Sequence, residues 1–234
     1  MNILVINCGS SSIKGAVVDS DTGAVATEFG VQRLEDEDGS CDFQLGDGEM
    51  ETLPVDTHEK ALEIAFDRLD DSFDGSVDGV GHRVVHGGER FGEPTLIDDE
   101  VQNHIEELIP LAPLHNPNNL AGIAAARKVY PDLDHVAVFD TAFHSTLPDA
   151  AKTYAIDREV ADQHSIVRYG FHGPSHNYVA HRAADYLDTP IEDLRIITAH
   201  LGNGCSMAAV KHGESVETSM GMTPLEGLVM GTRC

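Results

Sequence analysis

Asn2-Ile-Leu-Val-Ile-Asn-Cys-Gly-Ser-Ser-Ser-Ile-Lys-Gly-Ala-Val-Val-Asp19 is an apolar run, a Gly/Ser turn and a second apolar run, which is the pattern of a hairpin of two buried strands. The plan recurs at Arg195-Ile-Ile-Thr-Ala-His-Leu-Gly-Asn-Gly-Cys-Ser-Met-Ala-Ala-Val-Lys211, with little residue identity but the same order of run, glycine turn and run. Two copies of one opening hairpin imply a duplicated domain whose second copy begins before residue 195. Helix signals fill the interval. Asp56 with Glu59 reads as a capping box ahead of Ala61, Leu62, Ala65 and Leu69. Asp98 and Asp99 precede Val101, Ile105 and Leu108, and Asn116-Pro117 has the N-cap and N1 pattern ahead of Leu120, Ile123 and Ala124. Gly173-Pro174 opens a further stripe of His176, Val179, Ala180, Ala183 and Leu187. His135-Val-Ala-Val-Phe139 reads as a buried strand ending at Asp140, and the stretch from Glu35 to Glu51 as an exposed loop or edge hairpin. Strands alternating with helices make the fold class α/β.

Composition narrows the function classes. A chain of 234 residues, 41% hydrophobic and 24% charged, can bury a core and does not have the make-up of a disordered segment. No run approaches the roughly 20 apolar residues of a bilayer span, and the segment after Met1 lacks the basic region and apolar stretch of a signal peptide. A cytoplasmic location without a membrane partner is expected. Forty acidic against fifteen basic residues give a net charge of -25, which repels nucleic-acid phosphates and anionic lipids alike. An anionic substrate would therefore need local positive potential from a few Arg, Lys, His and backbone N–H groups. The acidity itself reads as a solvated surface, suited to high salt, where screening shortens the Debye length to about 3 Å near 1 M. Cys8, Cys41, Cys205 and Cys234 form no C-x-x-C pair, and the 13 histidines form no His-Glu-x-x-His pattern, so neither a disulfide framework nor a zinc site is expected.

Chemistry concentrates in the turns. A Gly/Ser turn between strands can offer several backbone N–H groups to phosphate oxygens, and Asn7 to Ser12, with Ser10, Ser11 and Ser12, is such a turn, although serine-rich hairpin turns are also ordinary. Lys14 could add an ammonium. His200-Leu-Gly-Asn-Gly204 has the same logic, with Gly202 and Gly204 permitting close backbone approach. Two such turns suggest a nucleotide held between lobes. In Gly81-His-Arg-Val-Val-His-Gly-Gly88, Arg83 and Val85 share a strand face by period two, which suits a short carboxylate, although taken alone the motif favours an edge-strand Arg in a surface ion pair. His115 and His172 each stand just before a helix N-terminus, where an anion gains from N–H groups and the macrodipole. His172 and His176 have metal-like spacing, but Gly173 and Pro174 put His172 ahead of the helix. Asp140 ends an apolar strand, where open α/β sheets place ligands, or else caps a helix. Arg233 closes a glycine-punctuated segment and could neutralise charge during phosphoryl transfer.

Taken together, Asn7 to Lys14, Gly81 to Gly88, Ala112 to Pro117, Phe139 to His144, Tyr169 to His176, His200 to Ser206 and Thr223 to Arg233 closely resemble the acetate kinase family, in the family's order. The resemblance implies duplicated ribonuclease-H-like lobes of the superfamily of acetate and sugar kinases, actin and heat-shock chaperones, with the second lobe truncated. Residues 1–144 would be the first lobe, with carboxylate-binding elements, and 145–234 the beginning of a nucleotide-binding lobe. It also implies ATP as co-substrate with Mg2+, acetate and acetyl phosphate as the other reactants, and a homodimer at full length. Asn7 would help position the metal. Lys14, Ser10, Ser11, Ser12 and His200, Leu201, Gly202, Asn203 and Gly204 would contact nucleotide phosphates. Arg83 would hold the carboxylate, with Val85, Leu114, Phe171 and Pro224 lining the alkyl pocket. Asp140 would be the essential acid, and His172, Arg233 and His115 would serve the transferring phosphoryl group. Cys8 and Cys205 border the two turns, so alkylation should inhibit and ATP should protect. Three departures are plain, namely Cys8, Pro174 and Cys234 where the family usually has Ala, Thr and Ser. A propionate kinase, or a truncated nucleotide-binding module without catalysis, is the alternative, and the 234 residues alone are expected to be inactive.

Overall fold

Alternation along Asn2–Cys8 (β1) sets the first sheet, because Leu4, Ile6 and Cys8 are buried on one face while Val5 is exposed on the other. The computed structural model describes residues 1–34 and 38–231. The chain divides into two compact units, Met1–Val84 with Thr95–Val138, and Val85–Pro94 with Phe139–Cys234.

In the first unit β1 pairs antiparallel with Ile13–Asp19 (β2), and this with Val25–Gln32 (β3), Cys41–Leu45 (β4) and Glu51–Leu53 (β5). On its other side β1 pairs parallel with Gly79–Val84 (β6), and Thr95–Leu96 (β7) pairs antiparallel with His135–Phe139 (β8). The sheet runs β5-β4-β3-β2-β1-β6-β8-β7. β4 and β5 are thus the edge hairpin that the acidic stretch suggested. Directly opposite Gly15 in β2 lies Phe29 of β3. A β-carbon on Gly15 would stand 2.3 Å from that ring, so the glycine lets the aromatic lie across its neighbour.

The helices of this unit are His58–Ser72 (α1), Asp99–Glu107 (α2) and Asn116–Val129 (α3). In α1, Ala61, Leu62, Ala65, Phe66 and Leu69 form the buried stripe, against Leu4, Ile13, Phe29 and Phe43 of the sheet. Phe66 meets Phe29 edge-on at 6.3 Å, and its full burial contributes about 2 kcal/mol by transfer alone. The cap of α1 is Thr57, whose hydroxyl accepts from Lys60 N, rather than Asp56. Asp98 caps α2 as its position suggested. His115, not Asn116, is the N-cap residue of α3.

In the second unit Arg195–Leu201 (β9), Cys205–Lys211 (β10) and Glu214–Thr218 (β11) form an antiparallel sheet ordered β11-β10-β9. This repeats the β3-β2-β1 meander of the first unit. The helices are Asp149–Lys152 (α4), Arg158–Gln163 (α5) and Gly173–Tyr186 (α6), the last capped by His172 in the left-handed region at φ 60. No helix among the described residues is long and apolar enough to cross a membrane.

Candidate active site

The turn after β1 is tied down from behind. Asn119 Nδ2 donates to the Cys8 carbonyl at 2.8 Å, and His58 Nε2 donates to the Gly9 carbonyl at 2.8 Å. Gly9 N in turn donates to Ser12 O at 2.8 Å and closes the turn. In a planar trans peptide the N–H points opposite the carbonyl, so fixing Gly9 C=O towards His58 aims the Ser10 N–H the other way. Ser10 and Ser11 are exposed, and so is Lys14. Neither His58 nor Asn119 was picked out in the sequence, because each acts through a backbone carbonyl 49 or 111 residues away.

Asn7 and Lys14 face each other across β1 and β2, one pair in from this turn. The parallel register of β6, with Ile6 beside His82, brings Arg83 next to Asn7, and Arg83 Nη1 donates to Asn7 Oδ1 at 3.1 Å. That bond bears on magnesium. A guanidinium on the amide oxygen repels a cation and takes one of its two lone pairs, and no group of three or more His, Cys, Asp or Glu able to hold a metal occurs among the described residues. The described residues therefore do not form a ready metal site around Asn7. β6 ends at Val84, so strand alternation does not extend from Arg83 to Val85. His115 is half-buried at the start of α3, and Leu114 beside it is exposed.

The second unit builds its site around His172. Gly173 N donates to the Asp140 carbonyl at 2.9 Å, and a β-carbon on Gly173 would stand 2.4 Å from that oxygen. Glycine is thus what lets α6 start against the end of β8, with Asp140 only 2% exposed. His144 Nε2 donates to Phe171 O at 3.0 Å while its Nδ1 meets Ser215 Oγ at 2.7 Å, which pins the backbone just ahead of His172. Burial holds the His144 ring below its ordinary pKa, as a neutral strut. Phe171 is buried with it, as is Val85 elsewhere in the unit, while Pro224 is half-buried.

Across β9 and β10 the turn spans Gly202 to Gly204, closed by Gly202 N to Gly204 O at 3.0 Å, with Leu201, Gly202 and Asn203 exposed. His200 and Ser206 pair one step in from it, the place that Asn7 and Lys14 hold in the first unit. The His172 ring stacks on His200 with centroids 4.1 Å apart, and a β-carbon on Gly204 would come within 2.9 Å of His172 Nε2. The turn, His172 and His200 are therefore one constellation. His200 Nδ1 meets Ser175 Oγ at 2.9 Å, His172 Nδ1 meets Ser206 Oγ at 2.7 Å, and that hydroxyl also meets His176 Nε2 at 2.8 Å. Ser206 was overlooked as a functional residue, although its alternation with buried Ala208 and Val210 marks it as an inward-facing hydroxyl on an apolar strand face. Arg233 lies outside the described residues.

Comparison with known proteins places this arrangement. The chain matches the model of the acetokinase family over residues 2–234. It is 51% identical to an acetate kinase of Halothermothrix orenii, over 100% of this chain and 61% of that protein. The crystal structure of Porphyromonas gingivalis acetate kinase superposes with a TM-score of 0.90 at 44% identity, covering 99% of this chain and 60% of that one. A propionate kinase from Francisella tularensis subsp. tularensis SCHU S4 gives 0.91 at 40%, covering 100% and 61%. The chain thus spans about three fifths of the length of these relatives. Its fold is theirs, the duplicated ribonuclease-H-like architecture shared with sugar kinases, actin and heat-shock chaperones, and the two matching strand meanders are its repeated part. With the family's pattern followed along the whole chain and its turns and histidines set as described, this protein belongs to the acetokinase family.

Proposed function

We propose that the protein is an acetate kinase, transferring a phosphoryl group reversibly between ATP and acetate to give ADP and acetyl phosphate. The observation that carries the reading is the match at about half identity, along the entire chain, to relatives named acetate kinase. The geometry of each unit agrees with it. In the second unit, the glycine turn from His200 to Gly204 offers N–H groups to nucleotide phosphates, with His172 stacked beside it. In the first, Ser10 to Ser12 and Lys14 supply a second phosphate-type turn, and Arg83 a guanidinium for the carboxylate.

The chemistry is direct in-line transfer. One carboxylate oxygen of acetate forms a bond to the γ-phosphorus as the bond to the β,γ-bridging oxygen breaks, and that oxygen leaves with ADP. Such a reaction gains its rate from positioning and charge neutralisation. Arg83 is assigned to the second carboxylate oxygen, and Val85, Leu114, Phe171 and Pro224 are assigned to the methyl group. His172, Arg233 and His115 offset charge on the equatorial oxygens, and Asp140 is the essential acid. Residues 1–144 are read as the first lobe, with carboxylate-binding elements, and 145–234 as the beginning of a nucleotide-binding lobe. Magnesium enters the reading as the ion carried by ATP, with no ligand role assigned to Asn7. A cytoplasmic homodimer completes the reading.

Acetyl phosphate formation, trapped as the hydroxamate, tests it in a protein carrying this sequence. Arg83→Ala should raise the acetate KM at least tenfold, whereas Arg233→Ala should mainly depress kcat. Acetate should be preferred to propionate and butyrate. The reverse kinetic split would exchange the two arginines' roles, and comparable kcat/KM for butyrate would reject the small alkyl pocket.

A further inference from the structure

Behind His172 a line of hydrogen bonds runs into the second unit. His172 Nδ1 meets Ser206 Oγ at 2.7 Å, Ser206 Oγ meets His176 Nε2 at 2.8 Å, His176 Nδ1 meets Thr198 Oγ1 at 2.8 Å, and Thr198 Oγ1 donates to Ala208 O at 3.4 Å. All the inner members are buried, Ser206 completely and His176 and Thr198 to within a few per cent. Their directions follow from the far end. A carbonyl only accepts, so with the single Thr198 proton given to Ala208 O, at 3.4 Å the longest link of the line, Thr198 Oγ1 accepts from His176 Nδ1–H. His176 is neutral, burial having lowered its pKa to about 4, so its Nε2 is bare and accepts the Ser206 proton. Ser206 Oγ, its proton spent, then accepts from His172 Nδ1–H.

We propose that Ser206, His176 and Thr198 are positioning residues that hold His172 as the Nδ1–H tautomer, so that its Nε2, set against the phosphate-type turn, can donate a hydrogen bond only when the ring is an imidazolium. The catalytic meaning of this rests on the phosphoryl-transfer reading. A neutral Nε2–H would give the transferring group a dipole, whereas the chain compels a full charge and a charge-assisted bond. The additional proton comes from solvent, and no bond forms between His172 and phosphorus. In a chain of net charge -25, a histidine that gains charge as phosphate arrives adds positive potential where it is needed and nowhere else. Gly204 supports the device, because a side chain there would collide with Nε2.

The test uses the 234-residue chain with histidine labelled by 15N in the imidazole ring, and long-range proton–nitrogen correlations, which distinguish the two neutral tautomers and the cation. His172→Gln identifies the His172 signals. At a pH where that ring is neutral, wild type should show Nδ1 protonated and Nε2 bare. Ser206→Ala should abolish that preference, and Ser206→Thr, which keeps the hydroxyl, should retain it. Thr198→Val, nearly isosteric, interrupts the chain from its far end and should act like Ser206→Ala if the latter fails to fold. A wild-type Nε2–H tautomer, or an Nδ1–H tautomer unmoved by both Ser206→Ala and Thr198→Val, would overturn the proposal. Addition of ATP should convert His172 to the doubly protonated pattern. If ATP bound, as followed by calorimetric titration, and left His172 unchanged while the tautomer result held, the phosphoryl-transfer reading would fail and the positioning would be structural only.

Discussion

Cys8 and Cys205 each border a turn, yet their surroundings give them opposite chemistry. Cys8 is 3% exposed, with its Sγ packed where a β-carbon on Gly122 would stand only 2.5 Å away. Burial pushes its thiol up to about 12, so almost no thiolate forms near neutrality. Alkylation of Cys8 was an expectation of the sequence, and the packing of α3 on β1 corrects it. Cys205 is half-exposed beside the second turn. Iodoacetamide followed by peptide mass spectrometry should label Cys205 in the folded chain, at least tenfold faster than Cys8, and bound ATP should slow that labelling. Equal rates at the two cysteines would contradict the burial. The same packing accounts for a cysteine in place of the family's usual alanine, since Gly122 leaves room for one sulfur atom.

Among the elements, β6 and β8 carry a buried histidine pair. His82 Nε2 meets His135 Nδ1 at 3.0 Å with the rings stacked at 5.3 Å, and His135 Nε2 donates to Tyr130 O at 3.0 Å. That carbonyl makes His135 Nδ1 the acceptor and His82 the donor, so both rings fold neutral. Burial, and secondarily the facing His135, lower His82 to about 3. From pH 6.5 down towards 3, the unfolded chain binds a proton that folded His82 refuses, so stability is full above 6.5 and falls with pH through that window. One such group contributes a slope of about 1.4 kcal/mol per pH unit at most. His86 and His176, each lowered to about 4 by burial, act in the same direction. Urea unfolding should therefore give a lower midpoint at pH 5 than at pH 7. Equal midpoints would show that these rings are not held neutral.

The elements also show how far the sequence could be read. Both hairpins, the edge strands, the strand at His135 and the presence of helices α1, α2, α3 and α6 follow from local signals, whereas the caps of α1 and α3 and part of two stripes do not, since Ala124 of α3 and Val179 and Leu187 at α6 are exposed. The sheet order and the parallel β1–β6 pairing are not local, and neither are the supports at His58, Asn119, His144 and Ser206. Each of those joins residues dozens of positions apart, which no window on one sequence contains. Most candidate site residues were legible because turns and helix starts announce where backbone N–H groups gather. The partners that orient them were not.

At the scale of the whole molecule, acidity and function pull against each other. A net charge of -25 repels anionic ligands in general, and the two units differ in the local positive or polar groups they set against it. The first has exposed Lys14 and the Arg83 guanidinium, and the second has a glycine turn with the His172 and His200 rings stacked beside it. Lys14 and His200 sit at the same place in the repeated meander, one pair in from its first turn, while Arg83 comes from β6 and His172 from the start of α6. The central claim is that these residues carry the acceptor and phosphoryl chemistry of an acetate kinase. Its most direct test replaces the matching part of the Halothermothrix orenii relative, 51% identical, with this chain. Acetyl phosphate formation is then measured with Arg83→Ala and His172→Ala versions beside it. Transfer should depend on both ATP and acetate, with acetate KM raised by the first substitution and kcat lowered at least a hundredfold by the second. A folded, nucleotide-binding chimera that makes no acetyl phosphate, or one indifferent to both substitutions, would contradict it.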